Sequence, residues 1–112
     1  MNARMRRVDE ALREVLSDAV FTDLKDPRIG FVTVTDVKTS NDLSHARVYV
    51  SVFGSQEERD ATMAGLTSAT GVLQRRVNAE LTMKRTPALT FHYDDTAERA
   101  ARVEQLLGEE ER

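Results

Sequence analysis

The side chains in this sequence best equipped for chemistry are its arginines and lysines, and they are unevenly placed. Arg4, Arg6 and Arg7 open the chain with no acid between them. Lys25 and Arg28 bracket the pair Asp26-Pro27, and Arg47 stands in a valine-rich stretch. Arg75, Arg76, Lys84 and Arg85 share the segment 68–93 with one acid, Glu80. Guanidinium forks and ammonium groups gathered on one surface hold phosphate oxygens, and structured RNA is recognised largely through phosphate and shape. Beyond Tyr93 the sign reverses, because Asp94, Asp95, Glu98, Glu104, Glu109, Glu110 and Glu111 outweigh Arg99, Arg102 and Arg112. With a net charge of −3, a protein that coats nucleic acid with its whole surface is disfavoured. The expectation is an electrically polarised molecule whose cations converge into one RNA-binding patch.

Other chemistries find little support. The chain has no cysteine, which removes thiolate nucleophiles and sulfur-ligated zinc and fits a reducing cytoplasm. His45 and His92 lie apart from each other and from any HExxH spacing, so no metal site is expected, and both read as surface or hydrogen-bonded residues. Asp94-Asp95 is a carboxylate pair, but neighbours in sequence seldom converge on one substrate atom, and Asp95 suits a helix cap. Gly-x-Ser-x-Gly, the Walker phosphate loop and the dinucleotide fingerprint do not occur, and the glycines are scattered at 30, 54, 65, 71 and 108. No cofactor, small-molecule substrate or catalysis is therefore expected. An apolar run of signal or membrane-spanning length is also missing from the sequence, so a cytoplasmic protein without a membrane partner is anticipated.

The elements that must position these cations follow from periodicity. Val8, Ala11, Leu12, Val15 and Ala19 recur at helical spacing between Arg4 and Leu24, and Asp26-Pro27 ends that helix. Two stretches, from Ile29 to Lys38 and from Ser44 to Phe53, are rich in β-branched residues and read as strands. The turn-forming Thr39-Ser40-Asn41-Asp42 joins them as an antiparallel hairpin. In the second strand Ala46, Val48, Val50 and Val52 make an apolar face, opposite a mixed face of Arg47, Tyr49, Ser51 and Phe53. That mixed face is a possible RNA platform, although Tyr49 and Phe53 read more readily as core packing than as base-stacking groups.

Ser55 and Glu58 have capping-box spacing, so a helix is expected to start after Gly54 and run through Met63 and Leu66, weakened at Gly65 by about 1 kcal/mol relative to alanine. Several residues of modest helix propensity coincide within Ser68-Ala69-Thr70-Gly71, where a kink is expected before Val72, Leu73, Val77 and Leu81 resume the stripe. Pro87 opens a third strand, Ala88–Tyr93, with Leu89, Phe91 and Tyr93 on the face turned to the helices. Asp95 and Glu98 then start a short amphipathic helix through Ala100, Val103 and Leu107, ending near Gly108. One domain over residues 1–108 with a disordered acidic tail, 109–112, completes the reading. The fold class is α+β, a three-stranded sheet with helices packed on one face.

This order, helix, strand, strand, helix, kinked helix, strand and a short terminal helix, resembles a type II KH domain. A narrower resemblance runs from about Arg4 to Leu107. The opening Arg7-Val8, then Asp26-Pro27-Arg28, Phe31-Val32-Thr33-Val34-Thr35-Asp36-Val37, Ser40, Asp42, Leu43, Ala46 and Val48-Tyr49-Val50 are similar to the ribosome-binding factor A family, as are Ala69-Thr70-Gly71, Arg75, Pro87, Leu89, Phe91 and Asp94. An ordinary KH domain clamps nucleotides with a Gly-x-x-Gly loop. The corresponding place here holds Ala69-Thr70-Gly71, similar to the Ala-x-Gly kink by which the family departs from other KH domains. The resemblance implies a non-catalytic factor that binds the free 30S ribosomal subunit late in assembly. It further implies support for 16S rRNA maturation, including its 5′ end, especially in the cold.

Bland alternatives accompany the candidate residues. The Arg75, Arg76, Lys84 and Arg85 group reads either as an RNA anchor or as a solvated helix face with Glu80 paired to Lys84. Arg4, Arg6 and Arg7 read either as RNA contacts or as an ordinary mobile terminus, and Lys25, Arg28 and Arg47 either reach phosphate or stay hydrated. Neutralising Arg75 and Arg76 together is expected to flatten the salt dependence of RNA binding by about one to two units of slope. A monomer is anticipated. The rival readings are a protein–protein adaptor and a metal-dependent nuclease, and the latter lacks a convincing acid cluster in the sequence.

Overall fold

The computed structural model describes residues 3–110. Its elements are α1 (Ala3–Thr22), β1 (Val32–Thr39), β2 (His45–Val52), α2 (Gln56–Ser68), α3 (Thr70–Glu80), β3 (Ala88–Tyr93) and α4 (Thr96–Glu110). The α+β order expected from the sequence is the one observed. β1 and β2 are an antiparallel hairpin whose register shifts between Val34 and Asp36. β3 adds parallel to β2, giving the order β1-β2-β3. A parallel neighbour requires a long crossover, and the α2–α3 pair supplies it.

Helices cover one face of the sheet. Leu12, Leu16 and Ala19 of α1, Leu66 of α2, and Leu73 and Val77 of α3 are completely buried against Val37, Ala46, Val48 and Val50. Leu89 is buried and Phe91 and Tyr93 pack at the margin of the same core, as the alternation of the third strand requires. The opposite sheet face, carrying Lys38, Arg47, Thr90 and His92, is exposed. Tyr49 is half-buried on that open face and Phe53 is 85% exposed. Neither aromatic enters the core, contrary to the expectation from the sequence, because the helices occupy the other side.

The capping box at α2 is present in full: Ser55 Oγ accepts from Glu58 N at 3.2 Å and Ser55 N donates to Glu58 Oε1 at 3.1 Å. The kink is also where expected. Ala69, with φ −89° and ψ 4°, separates α2 from α3, and the Thr70 hydroxyl donates to the Thr67 carbonyl at 2.8 Å. That hydroxyl satisfies a carbonyl that a continuous helix would have paired.

Two boundaries differ from the sequence reading. β1 begins at Val32 rather than Ile29, because the preceding residues are committed to α2. Thr62 Oγ1 donates to Arg28 O and accepts from Gly30 N, while Ile29 lies over Gly65 so closely that a Cβ there would meet Ile29 Cγ1 at 2.7 Å. α4 continues through Gly108 to Glu110, since one glycine costs only about 1 kcal/mol. Its apolar stripe stays exposed, with Val103, Leu106 and Leu107 each just over half accessible. The last two residues of the expected acidic tail, 111 and 112, lie outside the described residues. Among the described residues no helix is long and apolar enough to cross a membrane.

Candidate nucleic-acid interface

Helix α1 brings its first turns against the loop after α3. Arg4 and Arg7 lie within the helix, which begins at Ala3. Two adjoining clefts, of about 460 and 300 Å³, are lined there by Arg4, Arg7, Lys84 and Arg85 over Val8, Leu81 and Met83. The apolar floor anchors the helix end and the loop to each other, and the four cationic side chains rise around it. All four are exposed, and none forms an ion pair among the described residues. The remaining acid at the rim, Asp42, is turned to its own turn. Its carboxylate accepts from Ser40 Oγ at 2.8 Å and from Ser44 N at 3.0 Å, and these serines hold it well below the usual carboxylate range. Leu43, in the same turn, has φ +61° and lines the cleft. A non-glycine residue in the left-handed region is uncommon.

The other expected cations are distributed differently. Arg76 sits between α1 and α3, held by Asp23 at 2.9 Å, by Glu80 at 2.7 Å and by Asp18. These carboxylates raise its already high pKa, and Arg76 lowers that of Asp23. Glu80 therefore pairs with Arg76 and not with Lys84. Arg28 closes on Asp26, its Nε 3.1 Å from both carboxylate oxygens. Arg6 lies on another flank of α1, in a cleft shared with Glu10, Arg13, Asp36 and Lys38. Lys25 is exposed after α1, Arg75 is exposed on α3 beside Gly71, and Arg47 is on the open sheet face. The single patch expected from the sequence is thus divided: four of the ten candidates line adjoining clefts, and Arg47 faces away from the helices.

The kink residues Ala69, Thr70 and Gly71 set the angle between α2 and α3 without lining these clefts. Gly71 has room around it, a Cβ there meeting only Arg75 Nη1 at 3.7 Å. His45 Nδ1 lies 2.8 Å from Ser44 Oγ and His92 Nε2 lies 2.9 Å from Thr90 Oγ1, matching the expectation of hydrogen-bonded surface histidines. Among the described residues no group of three or more His, Asp or Glu side chains is placed to hold a metal ion. A further groove, lined by Val20, Phe21, Leu24, Ile29, Phe31 and Val32, is mainly apolar.

Two residues on the open sheet face were not linked to RNA in the sequence, His92 reading there only as a surface or hydrogen-bonded histidine. Lys38 stands opposite Arg47 in the register, and His92 stands opposite Tyr49. The alternation along each strand carried half of that signal, but the pairing of strands carried the rest.

Comparison with known proteins agrees with this architecture. The family model described as ribosome-binding factor A matches residues 4–107. The ribosome-binding factor A of Halothermothrix orenii is 47% identical over 104 residues, covering 93% of this chain and 85% of that protein. That of Geobacter metallireducens is 44% identical, covering 97% and 92%. The crystal structure of ribosome-binding factor A from Thermus thermophilus superposes with a TM-score of 0.72 at 27% identity, covering 80% of this chain and 93% of that one. A homology model of the Thermus thermophilus factor, fitted into a cryo-electron-microscopy map of its complex with the 30S subunit, superposes with a TM-score of 0.64 at 29% identity, covering 77% and 90%. With a family match spanning almost the whole sequence and a KH-like fold to carry it, this chain belongs to the ribosome-binding factor A family.

Proposed function

We propose that this protein binds the free 30S ribosomal subunit as a monomeric cytoplasmic factor and assists late maturation of 16S rRNA, including its 5′ end, with its greatest importance in the cold. The observation that carries this reading is the convergence of Arg4, Arg7, Lys84 and Arg85 around adjoining clefts, with no carboxylate paired to them among the described residues. Cations in that state meet phosphates without first breaking an ion pair. The complex of the Thermus thermophilus relative with the 30S subunit supports the choice of RNA partner. Docking is by shape and phosphate contact, with the kink at residues 69–71 fixing the helix that precedes the basic loop, and it needs no covalent step.

Co-sedimentation of the purified protein with free small subunits and with joined ribosomes tests this directly. The expected result is a band with the free subunits that weakens steeply with salt, together with accumulation of 5′-extended 16S rRNA in cells lacking the protein at low temperature. Equal partition onto joined ribosomes, or binding indifferent to salt, would overturn the reading. A retained partner after nuclease treatment would favour the adaptor alternative instead.

A further inference from the structure

The open face of the sheet carries a second surface with its own order. Cross-strand partners project to the same side, so the register places Lys38, Arg47 and Thr90 in one row and Asp36, Tyr49 and His92 in the next. The Tyr49 and His92 rings are tilted at 36° with centroids 5.6 Å apart, and the Arg47 guanidinium lies 5.9 Å from the Tyr49 centroid. The bond between His92 and Thr90 steadies the imidazole. Neither Lys38 nor Arg47 forms an ion pair among the described residues, unlike Arg28 and Arg76.

Beside Tyr49, between β1 and the start of α4, lies a cleft of about 460 Å³ lined by Asp36, Lys38, Tyr49, Asp94, Asp95 and Arg99. That volume falls in the range of small-ligand sites, about 300–1,000 Å³. Asp94 is occupied by Thr35 Oγ1 at 2.7 Å and by Thr96 N at 3.0 Å. Among the described residues Asp36 accepts only from Val37 N, through Oδ1 at 2.9 Å, which leaves its second oxygen for another donor.

We infer that this face holds one unpaired nucleotide of RNA, its base stacked on the Tyr49–His92 pair, its phosphate between Lys38 and Arg47, and its amino edge turned to Asp36. The assignment rests on the reading that the protein meets RNA, and it adds a site to the basic clefts. Aromatic groups on an exposed sheet stack bases. The row of cations and the row holding Asp36 are two residues apart along a strand, about 6.8 Å, the scale that separates a nucleotide's phosphate from its base. A nucleotide is anionic at one end and presents N–H donors at the other, which matches both rows. An acidic peptide would satisfy the cations and oppose Asp36, while an apolar partner would bury both rows unpaired. Adenine, cytosine and guanine carry an exocyclic amine, whereas the ring N–H of uracil is flanked by two carbonyl oxygens that repel a carboxylate, so the site favours the first three.

Fluorescence anisotropy at low salt with labelled RNA pentamers tests the site, using UUAUU, UUUUU and UUAUU with an abasic centre, alongside small-subunit co-sedimentation. Wild-type protein is expected to bind UUAUU several-fold more tightly than UUUUU and about tenfold more tightly than the abasic RNA. Tyr49→Ala should weaken UUAUU binding by about 5- to 100-fold, with Tyr49→Phe restoring most of it, and Asp36→Ala should erase the preference for adenine over uracil. Equal binding of the base-containing and abasic RNAs, or of Tyr49→Ala and wild-type protein, would overturn the inference. Co-sedimentation with small subunits but no measurable pentamer binding would remove this site and leave the proposed function standing. Loss of both would remove both.

Discussion

The two ends of α1 meet the same kinds of side chain in opposite states. At the first turns of α1, Arg4 and Arg7 meet Lys84 and Arg85 around clefts where no carboxylate is paired to them among the described residues. At the far end Arg76 is gripped by Asp18, Asp23 and Glu80, and in the loop that follows α1 Arg28 is held by Asp26. The second group stitches α1 to α3 and closes the loop before β1. The first stitches nothing. A guanidinium whose fork already holds a carboxylate must give up those charge-assisted bonds before it can take a phosphate. Counting cations along the chain therefore overstates the binding surface, and the acid neighbours brought by folding decide which of them are available.

The most severe challenge to this contrast is a pair of multiple variants. Replacing Arg4, Arg7, Lys84 and Arg85 together by alanine should reduce the salt-dependence slope of small-subunit binding by about three units, at roughly 0.7–0.9 unit per phosphate. Replacing Arg28 by glutamine and Arg76 by methionine should change that slope by less than about one unit while lowering the thermal midpoint. Sedimentation across a salt series and a melting curve read the two effects, and the reverse pattern would invert the assignment of the two ends.

Packing sharpens the same contrast. On α2, where Ile29 lies over the helix, Gly65→Ala should lower stability by about 1–3 kcal/mol, since a Cβ there meets Ile29 Cγ1 at 2.7 Å and neighbours must shift. Gly71→Ala, in open surroundings, should raise it by up to about 1 kcal/mol through helix propensity. Denaturant titration of both variants checks the opposite signs, where propensity alone would have both stabilise. Thr62→Val should cost about 1–2 kcal/mol by leaving Gly30 N without its acceptor and Arg28 O without its donor.

The smallest expected effect concerns pH. Arg76 depresses the pKa of Asp23 below its ordinary 3.8, so this pair stabilises the folded state at pH values above that figure. Its contribution fades as pH falls through the lowered folded value. The stability difference between wild-type protein and Arg76→Met should therefore be constant from neutral pH down to mildly acidic conditions and shrink below about pH 4. A difference that grew on acidification would show that Asp23 is not Arg76's partner in solution.

Much of the fold was legible in the residues because its signals are local. Ser55 and Glu58 act within one helical turn, and several residues of modest helix propensity among positions 68–71 weaken one stretch of chain. The alternation of Ala46, Val48, Val50 and Val52 assigns a face whatever lies beyond it. The site was legible only in part. Lys84 and Arg85 stand out as cations, but their meeting with Arg4 and Arg7 joins residues more than seventy positions apart. Arg76 reads as an RNA contact, yet Asp18 and Asp23, which close on it, are more than fifty positions away in sequence. Lys38 and His92 give no such signal, because their partners, Arg47 and Tyr49, belong to other strands.

The order of residue types was enough to settle which segments are helix and strand, where the α2–α3 kink falls, and the inventory of cations, because propensity, capping and periodicity act over a few residues. Folding in three dimensions was needed to settle which cations are neutralised, which share a cleft, that α4 leaves its apolar stripe uncovered, and that Tyr49 looks outward beside His92. The difference is one of range. Hydrogen bonds along the backbone relate near neighbours, whereas ion pairing, stacking and close packing depend on distances through space that no local pattern of residue types encodes.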